Sequence, residues 1–288
     1  MKDVINFFKS SRSTEVAMML GFPATGVLFA FSKFEQLVSL PVIVFVMATF
    51  ALSLAIYAFN AWAGAEEDIE NERLPELKRK KSFFIKSTAL FVVIFISLYL
   101  LINPMLALFS VASFLLWALY SFPKKGFKYK PVAGTFIHFI GQVLHFQMGF
   151  SVLSVLNYNS FLISFYFALL FCAGHINHEL IDYESDKKMG TKTGAVYFGK
   201  EKWEKLSFLI FSFSTLYILT LTLFKAADII LVWSFILAGV IHAAYKLMLC
   251  SGNLSKERFL KERKFYRFIY FLAGTLFIVT KALSLPHL

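Results

Sequence analysis

Nine long apolar runs most constrain how this chain can fold. Each has about 18 to 25 residues, the length a helix needs to cross the hydrocarbon core of a bilayer. Closed barrels, the other spanning architecture, need short segments of alternating polarity, and these runs are continuously apolar. The runs cover residues 14–33, 38–63, 83–102, 104–122, 132–156, 159–180, 203–224, 228–249 and 266–285. The sequence therefore predicts an all-α polytopic membrane protein, with about nine transmembrane helices in one domain over residues 1–288.

Positive charge alternates along the chain in step with the apolar runs. Of the 29 Lys and Arg residues, 26 fall in the N-terminal segment or in the loops and flanks after the second, fourth, sixth and eighth runs. Only Lys33, Lys225 and Lys281 lie on the other side. Because cytoplasmic loops hold the excess of basic residues, we expect the N-terminus to be cytoplasmic.

The formal net charge of +11 follows from this bias and needs no nucleic acid to explain it. Anionic membrane lipid and an anionic substrate are the expected partners. The first run is long and lacks a small-residue cleavage site, so we expect no cleavable signal peptide. Cys172 and Cys250 are predicted to be free thiols, because they suggest neither a disulfide framework nor a zinc site.

Ten of the 18 acidic residues fall in two short clusters, which follow the second and sixth apolar runs. Both clusters are therefore expected on the cytoplasmic side. On a helix, residues at positions i, i+4 and i+8 share a face. The first such row consists of Asn60, Gly64 and Asp68, with Glu67 beside it. The second row consists of His178, Asp182 and Asp186, with Glu179 beside it.

The two rows together indicate a magnesium site. Acidic side chains that face each other repel unless a cation lies between them, and Mg²⁺ is usually held by one or two carboxylates plus substrate phosphates. The surrounding basic loops suit the rest of a diphosphate. The simpler alternative is that both clusters are solvated loops paired with nearby lysines. The second row favours the functional interpretation more strongly, because its acids run directly out of a membrane helix.

A polar row also marks the fifth apolar run. His138, Gln142 and His145 lie at positions i, i+4 and i+7 and share one face, with Gln147 off it. Polar residues at membrane depth usually face the bundle interior or a cavity. Both a substrate-pocket face and a structural hydrogen-bonded seam fit this pattern.

The segment between the eighth and ninth runs is basic, with apolar residues interleaved. This pattern is typical of a short amphipathic helix that lies on anionic lipid. We therefore predict a surface helix within residues 250–267, separate from the last transmembrane helix.

The segment that contains the second row resembles the UbiA family of membrane prenyltransferases. That family has nine helices and two aspartate-rich motifs, which follow helices 2 and 6. The second is D-x-x-x-D, commonly continuing into D-x-x-x-G-x-x-T-x-x-V-x-x-x-G. With one residue of slack, the matching positions here are Asp182, Asp186, Gly190, Thr193, Val196 and Gly199. Residues 120–131 also look like the family's tyrosine-serine-proline segment with its basic residues, so the resemblance covers nearly the whole chain.

The first row departs from the family's first motif, N-D-x-x-D-x-x-x-D. Asn60 and Asp68 match its ends, but Ala61 and Gly64 stand where the family has aspartates. Three readings stay open: Glu67 or Glu66 substitutes as an oxygen donor, the site binds its metal more weakly, or the chemistry has diverged.

The resemblance implies an enzyme that transfers a prenyl group from a prenyl diphosphate to a lipophilic acceptor, depends on Mg²⁺ and releases diphosphate. Its catalytic residues would be Asp182, Asp186, Asp68 and Asn60, and the same four with Glu67 would hold the metal. Residues expected at the substrate would be Lys128, Lys130, Lys192, Arg73, Glu179, His138, Gln142, His145 and His178. The active site would face the cytoplasm of a bacterial or archaeal cell.

Two alternatives stay open at this point. A divergent family member could cyclise its prenyl diphosphate without an acceptor. A transporter or channel would instead keep its functional acids near the membrane midplane, on broken helices, whereas these acids lie at one membrane face. Magnesium dependence would separate the two enzymes from the transporter, and an acceptor requirement would separate the enzymes from each other.

Overall fold

The computed structural model describes residues 16, 19–64, 81–123, 125–249 and 254–284. Within these ranges every regular element is helical. The α-helices are α1 (Gly21–Ala30), α2 (Leu40–Gly64), α3 (Lys81–Ile102), α4 (Pro104–Ser121), α5 (Ala133–Phe150), α6 (Tyr158–Lys188), α7 (Gly194–Phe198), α8 (Lys200–Leu223), α9 (Ile229–Leu249) and α10 (Lys256–Ser284). Two short 3₁₀ helices cover Phe34–Val38 and Phe127–Tyr129.

Seven of these helices are long and apolar enough to cross a membrane, namely α2, α3, α4, α6, α8, α9 and α10. The chain is therefore a polytopic, integral membrane protein, as its apolar runs predict. The break between α3 and α4 falls at the predicted place. Asn103 caps α4 by accepting a hydrogen bond from the Met105 amide at 2.9 Å, and Pro104 occupies the first turn, where its missing N–H removes no helical bond.

The fifth apolar run is helical but shorter than predicted, whereas the first run is described only in part. Only Gly21–Ala30 is described as α1, and α5 ends at Phe150 rather than at residue 156. The polar row of α5 lowers its hydropathy, and the helix is not among the seven candidate spans. The total of nine transmembrane helices and the cytoplasmic N-terminus thus stay predictions.

The last helix corrects one prediction. No separate surface helix follows residue 253 in the described chain, because α10 runs continuously from Lys256 to Ser284. Its first two turns bury Arg258, Phe259 and Glu262, which a helix lying on lipid headgroups would have left at an interface. In this segment, charged residues that alternate with apolar ones, such as Arg258 and Glu262, pair with other charges inside the protein.

Two compact units make up the chain. The first comprises residues 1–128 and 144–156, and the second comprises residues 129–143 and 157–288. In the first unit α2 packs along α3 and α4 around a core that includes Leu52, Phe95 and Leu106. A hydrogen bond of 2.9 Å joins the hydroxyls of Thr49 and Tyr99 across α2 and α3.

Close backbone contact fixes α1 within the first unit. A methyl group built on Gly26 would overlap the Phe146 carbonyl, and one built on Gly149 would overlap the Pro23 carbonyl. Small residues let membrane helices approach this closely, which adds van der Waals contact where no hydrophobic force acts between helices.

The second unit is built from α6, α8, α9 and α10, with the short α7 at one end. Its apolar core includes Ile176, Trp203 and Phe259. Serine hydroxyls add bonds between helices: Ser207 donates to the Ala173 carbonyl at 3.0 Å, and Ser234 donates to the Ala273 carbonyl at 2.9 Å. Such bonds satisfy polar groups that lipid cannot.

A buried ionic network also joins α8, α9 and α10. Lys246 Nζ lies 2.7 Å from Glu262 Oε1 and 3.5 Å from Glu204 Oε1. Arg258 Nη2 lies 2.6 Å from Glu204 Oε1 and 3.5 Å from Glu262 Oε2. Glu262 is completely buried, so its charge depends on these two cations and on His242, whose Nε2 lies 3.8 Å from Glu262 Oε1. The network fixes the rotation of α10 about its own axis.

Candidate active site

The second acidic row lies on a continuous helix. α6 extends to Lys188, eight residues beyond the predicted end of the sixth run, so Asp182 and Asp186 are separated by one helical turn on the same face. The side chains of His178 and Asp182 are 49% and 46% exposed. These side chains are therefore open to a ligand, and they are held on regular backbone.

The end of α6 explains the glycine that follows the second aspartate. Gly190 has φ +70°, a left-handed conformation that costs glycine little. Its amide donates to the Lys187 carbonyl at 3.2 Å, and the Thr191 amide donates to the Asp186 carbonyl at 2.8 Å. This pair of bonds is a Schellman cap. The cap satisfies the backbone of Asp186 and turns the chain sharply after the row.

The segment after this cap folds back onto α6 through Glu179. One carboxylate oxygen, Oε2, accepts hydrogen bonds from the Ala195 amide at 3.2 Å and from Trp203 Nε1 at 2.6 Å. The other, Oε1, lies 3.3 Å from His175 Nε2. Glu179 therefore ties the start of α7 and the first turn of α8 to α6. This geometry favours a positioning role over the direct substrate contact expected from sequence.

Two glycines in the same segment are required by close approach and by backbone conformation. A methyl group on Gly194 would overlap the Trp203 ring, and Gly199, with φ +85°, precedes the first residue of α8. Gly190 and Gly199, the two glycines of the sequence motif, both have positive φ, and Gly194 lies between them.

His178 has two charged neighbours within the second unit. Its Nδ1 is 2.9 Å from Arg263 Nη1 on α10, and its Nε2 is 3.4 Å from Asp182 Oδ2 one turn along α6. Arg263 was not among the predicted site residues, because its basic segment was assigned to a lipid-facing helix. No local sequence signal separates it from the neighbouring basic residues.

One acidic residue near the second row is paired with a lysine, which is the simpler alternative that the sequence left open. Glu184, which faces away from Asp182 on the helix, receives a hydrogen bond of 2.7 Å from Lys200, whose Nζ also lies 4.6 Å from the centre of the Tyr183 ring. Glu184 is exposed, so this pair is an ordinary surface ion pair.

The polar row of α5 is buried, and its members have different surroundings. The His138 ring lies 3.9 Å, centre to centre, from the His175 ring of α6. Gln142 is 2% exposed, and its Oε1 has no hydrogen-bond partner in the described chain. His145 Nε2 forms a hydrogen bond of 2.8 Å with Ser113, as in a structural seam. The substrate-pocket assignments of all three stay predictions.

The first row is described only in part. Asn60 and Gly64 occupy the last two turns of α2, as the row predicts. Glu66, Glu67, Asp68 and Arg73 lie outside the described residues. Asn60 belongs to the first unit and Asp182 to the second, so the meeting of the two rows stays a prediction.

The predicted diphosphate-binding lysines lie in the connecting segments. Lys128 is half-buried in the 3₁₀ helix Phe127–Tyr129, whereas Lys130 and Lys192 are exposed. Lys192 comes two residues after the cap at Gly190, so it lies close in sequence to the end of the acidic row.

Comparison with known proteins decides the family. The model of the UbiA prenyltransferase family matches residues 20–272 of this chain. The chain is a member of the UbiA prenyltransferase family. No curated protein matches the sequence.

Solved UbiA-type structures have the same fold. A structure of digeranylgeranylglyceryl phosphate synthase is 20% identical, has a TM-score of 0.76, and the alignment covers 98% of this chain and 99% of that one. A UbiA homologue from Archaeoglobus fulgidus bound to GPP and Mg²⁺ is 17% identical, has a TM-score of 0.72, and is matched over 94% of this chain and 99% of that one. The same homologue bound to DMAPP and Mg²⁺ has a TM-score of 0.70 at 18% identity, with 94% and 99% covered.

The described carboxylates of this UbiA member provide part of what a Mg²⁺ site requires. Among the residues that the structure describes, no three His, Cys, Asp or Glu side chains come together as a complete metal site. Asp182 and Asp186 nevertheless supply two carboxylates on one face of α6. Mg²⁺ usually takes one or two carboxylates and completes its shell with water and substrate phosphates. These residues therefore suit Mg²⁺ bound together with a diphosphate.

Proposed function

We propose that this protein transfers a prenyl group from a prenyl diphosphate to a lipophilic acceptor within the membrane and releases diphosphate. The observation that carries the proposal is the pair Asp182 and Asp186, one turn apart on a capped membrane helix of a UbiA family member. The structural relatives with GPP or DMAPP and Mg²⁺ support the same class of donor.

In the proposed reaction, the bond between C1 of the prenyl group and the diphosphate oxygen breaks, and its electron pair leaves with the diphosphate. The acceptor's nucleophilic atom forms a new bond to C1 and loses a proton. Bound Mg²⁺ supplies Lewis-acid stabilisation of the leaving diphosphate. Asp182 and Asp186 would hold the metal, together with Asn60, Asp68 and Glu67 of the first row.

The remaining residues of the proposal act on the substrates. Lys128, Lys130, Lys192 and Arg73 would neutralise diphosphate oxygens, since ionised donors form the strongest bonds to phosphate. The reaction also requires that the prenyl cation be shielded from water, which would otherwise capture it. Holding the acceptor beside C1 lowers the entropic part of the barrier.

The test is single-turnover release of diphosphate from the full chain purified in detergent, with farnesyl, geranylgeranyl and longer prenyl diphosphates and with membrane extract as a source of acceptor. We expect release to depend on Mg²⁺ and to be lost in Asp182→Ala. Glu184→Gln is the matched control, because it removes an exposed carboxylate of the same helix that pairs with Lys200.

Product analysis separates the enzymatic alternatives. Prenylated acceptor supports transfer, whereas a cyclic hydrocarbon or alcohol formed without extract would replace transfer by cyclisation. Absence of release from every donor, with and without extract, would contradict the proposal and would agree with a lost activity at Gly64.

A further inference from the structure

We propose that Arg263 and His178 form a relay that positions the carboxylate of Asp182 for the metal. The proposal joins three side chains of the second unit: Arg263 on α10, and His178 and Asp182 on α6. It rests on the proposed function in one respect, namely that Asp182 binds a divalent cation.

The contact between Arg263 and His178 fixes the tautomer of the imidazole. A guanidinium has only N–H donors, so in the 2.9 Å bond between Arg263 Nη1 and His178 Nδ1 the imidazole nitrogen accepts. The hydrogen of the ring must then lie on Nε2. Which nitrogen of a histidine carries its hydrogen is set by the bond that the other nitrogen makes.

The nitrogen that carries this hydrogen lies near the carboxylate of Asp182. His178 Nε2 lies 3.4 Å from Asp182 Oδ2, and the two residues are one helical turn apart. A hydrogen bond from Nε2–H to this oxygen would leave the other oxygen of Asp182 for a cation. Carboxylates that bind metals are commonly oriented by such outer hydrogen bonds.

Arg263 is held in register by contacts on either side of it. The preceding residue, Glu262, is buried and bonded to Lys246 at 2.7 Å. One turn along α10, the Tyr266 hydroxyl lies against Gly174, which is one turn from His178 on α6. The contacts Arg263–His178 and Tyr266–Gly174 are about one helical turn apart on each helix. The packing of α10 against α6 therefore places Arg263 next to His178.

A direct contact of Arg263 with diphosphate is the competing interpretation, since guanidinium groups bind phosphate well. The two interpretations differ in coupling. In a relay, Arg263 acts only through His178, so the effects of the two substitutions do not add. A direct contact leaves Arg263 effective when His178 is absent, so the effects add.

The first readout needs no enzymatic activity. The protein with ¹⁵N-labelled histidine, with the His178 signals assigned from their absence in His178→Phe, should show Nε2–H in the wild type. Arg263→Gln should shift the Nδ1 signal of His178, because that nitrogen loses the guanidinium donor, and Lys264→Gln, which deletes the neighbouring exposed charge, should not. An Nδ1 signal of His178 that is the same in the wild type and in Arg263→Gln would overturn the relay, whatever the protein catalyses.

The second readout is binding of Mn²⁺ in the presence of inorganic pyrophosphate, followed by electron paramagnetic resonance. We expect Arg263→Gln, His178→Phe and the double variant to weaken Mn²⁺ binding to a similar extent, by about 10- to 100-fold, the usual effect of losing an outer-shell partner. His178→Gln should retain much of the affinity, because an amide can accept from Arg263 and donate to Asp182. Additive losses, or no rescue by glutamine, would contradict the relay.

The two readouts separate failure of the relay from failure of the proposed function. If the wild type binds no Mn²⁺ with pyrophosphate and releases no diphosphate from any donor, the metal site itself is wrong, and the positioning role falls with it. If the wild type binds Mn²⁺ and Asp182→Ala abolishes binding while Arg263→Gln leaves it intact, only the relay is wrong.

Discussion

Trp203 Nε1 donates a hydrogen bond of 2.6 Å to Glu179 Oε2, which joins the first turn of α8 to α6. The same oxygen receives the Ala195 amide. One carboxylate thus holds the segment that connects the acidic row to the rest of the second unit. Glu179, which lies beside the row in sequence, has a partner for each of its oxygens within the protein.

This relationship predicts different outcomes for two substitutions of Glu179. Glu179→Gln keeps an oxygen that can accept from Trp203, so unfolding and diphosphate release should change little. Glu179→Ala leaves the Trp203 indole and the Ala195 amide without their acceptor, which should lower the free energy of unfolding by about 1–3 kcal/mol. Thermal unfolding in detergent, followed by tryptophan fluorescence, measures both. If Glu179→Gln loses activity at unchanged stability, Glu179 contacts the substrate directly.

Gly194→Ala should destabilise the same segment. The added methyl group would overlap the Trp203 ring, and overpacking of this kind costs about 1–3 kcal/mol. Gly274→Ala is the matched control, since nothing lies within 4 Å of a methyl group at that helical position. Equal melting temperatures for the two variants would mean that Trp203 moves aside without cost.

Gln142→Leu should raise stability and lower activity. Gln142 Oε1 is buried without a partner in the described chain, and replacing such a group by an apolar one of similar shape removes its desolvation penalty. If α5 faces the substrate pocket, as its polar row predicts, the same change removes a substrate contact, and prenyl transfer should slow. Parallel measurement of melting temperature and turnover tests both halves.

Ser113→Ala should lower stability, in contrast to Gln142→Leu. Its hydroxyl bonds His145 at 2.8 Å, so the substitution leaves a buried imidazole nitrogen unsatisfied and should reduce stability by about 1–3 kcal/mol. A stabilised Ser113→Ala variant would show that His145 does not depend on this seam.

The buried ionic network should be sensitive to the loss of a single charge. Lys246→Met leaves Glu262, which is completely buried, with Arg258 Nη2 at 3.5 Å and His242 Nε2 at 3.8 Å as its nearby basic groups. Breaking a buried pair in this way typically costs about 3–5 kcal/mol. Lys205→Met, which removes the cation of the exposed pair with Glu201, should have little effect. Similar melting temperatures for the two variants would mean that the network contributes little to stability.

The helical architecture was predictable because its signal is local. A long, continuously apolar run forms a helix in a bilayer whatever its neighbours are, since a helix satisfies its own backbone and a closed barrel needs strands of alternating polarity. The same holds for the break at Asn103 and Pro104 and for the spacing of Asp182 and Asp186. Each depends only on residues within a few positions along the chain.

The predictions that differ from the structure concern segments whose state depends on distant residues. In residues 256–267, charged and apolar residues alternate. Contact with a lipid surface and pairing with buried charges would both produce this pattern in the sequence. Arg258 and Glu262 are buried because Glu204 and Lys246 meet them from α8 and α9. Those contacts convert a predicted surface helix into the first turns of α10.

By itself, the sequence determined that this protein is a polytopic helical membrane protein, that its acids cluster at the ends of two apolar runs, and that its second motif is that of the UbiA family. Only the tertiary structure decided that Glu179 receives Trp203, that Arg263 reaches His178 across α6 and α10, and that Gln142 is buried. The physical reason is range: hydrophobicity and helical periodicity act along the chain, whereas hydrogen bonds and ion pairs join residues that only packing brings together.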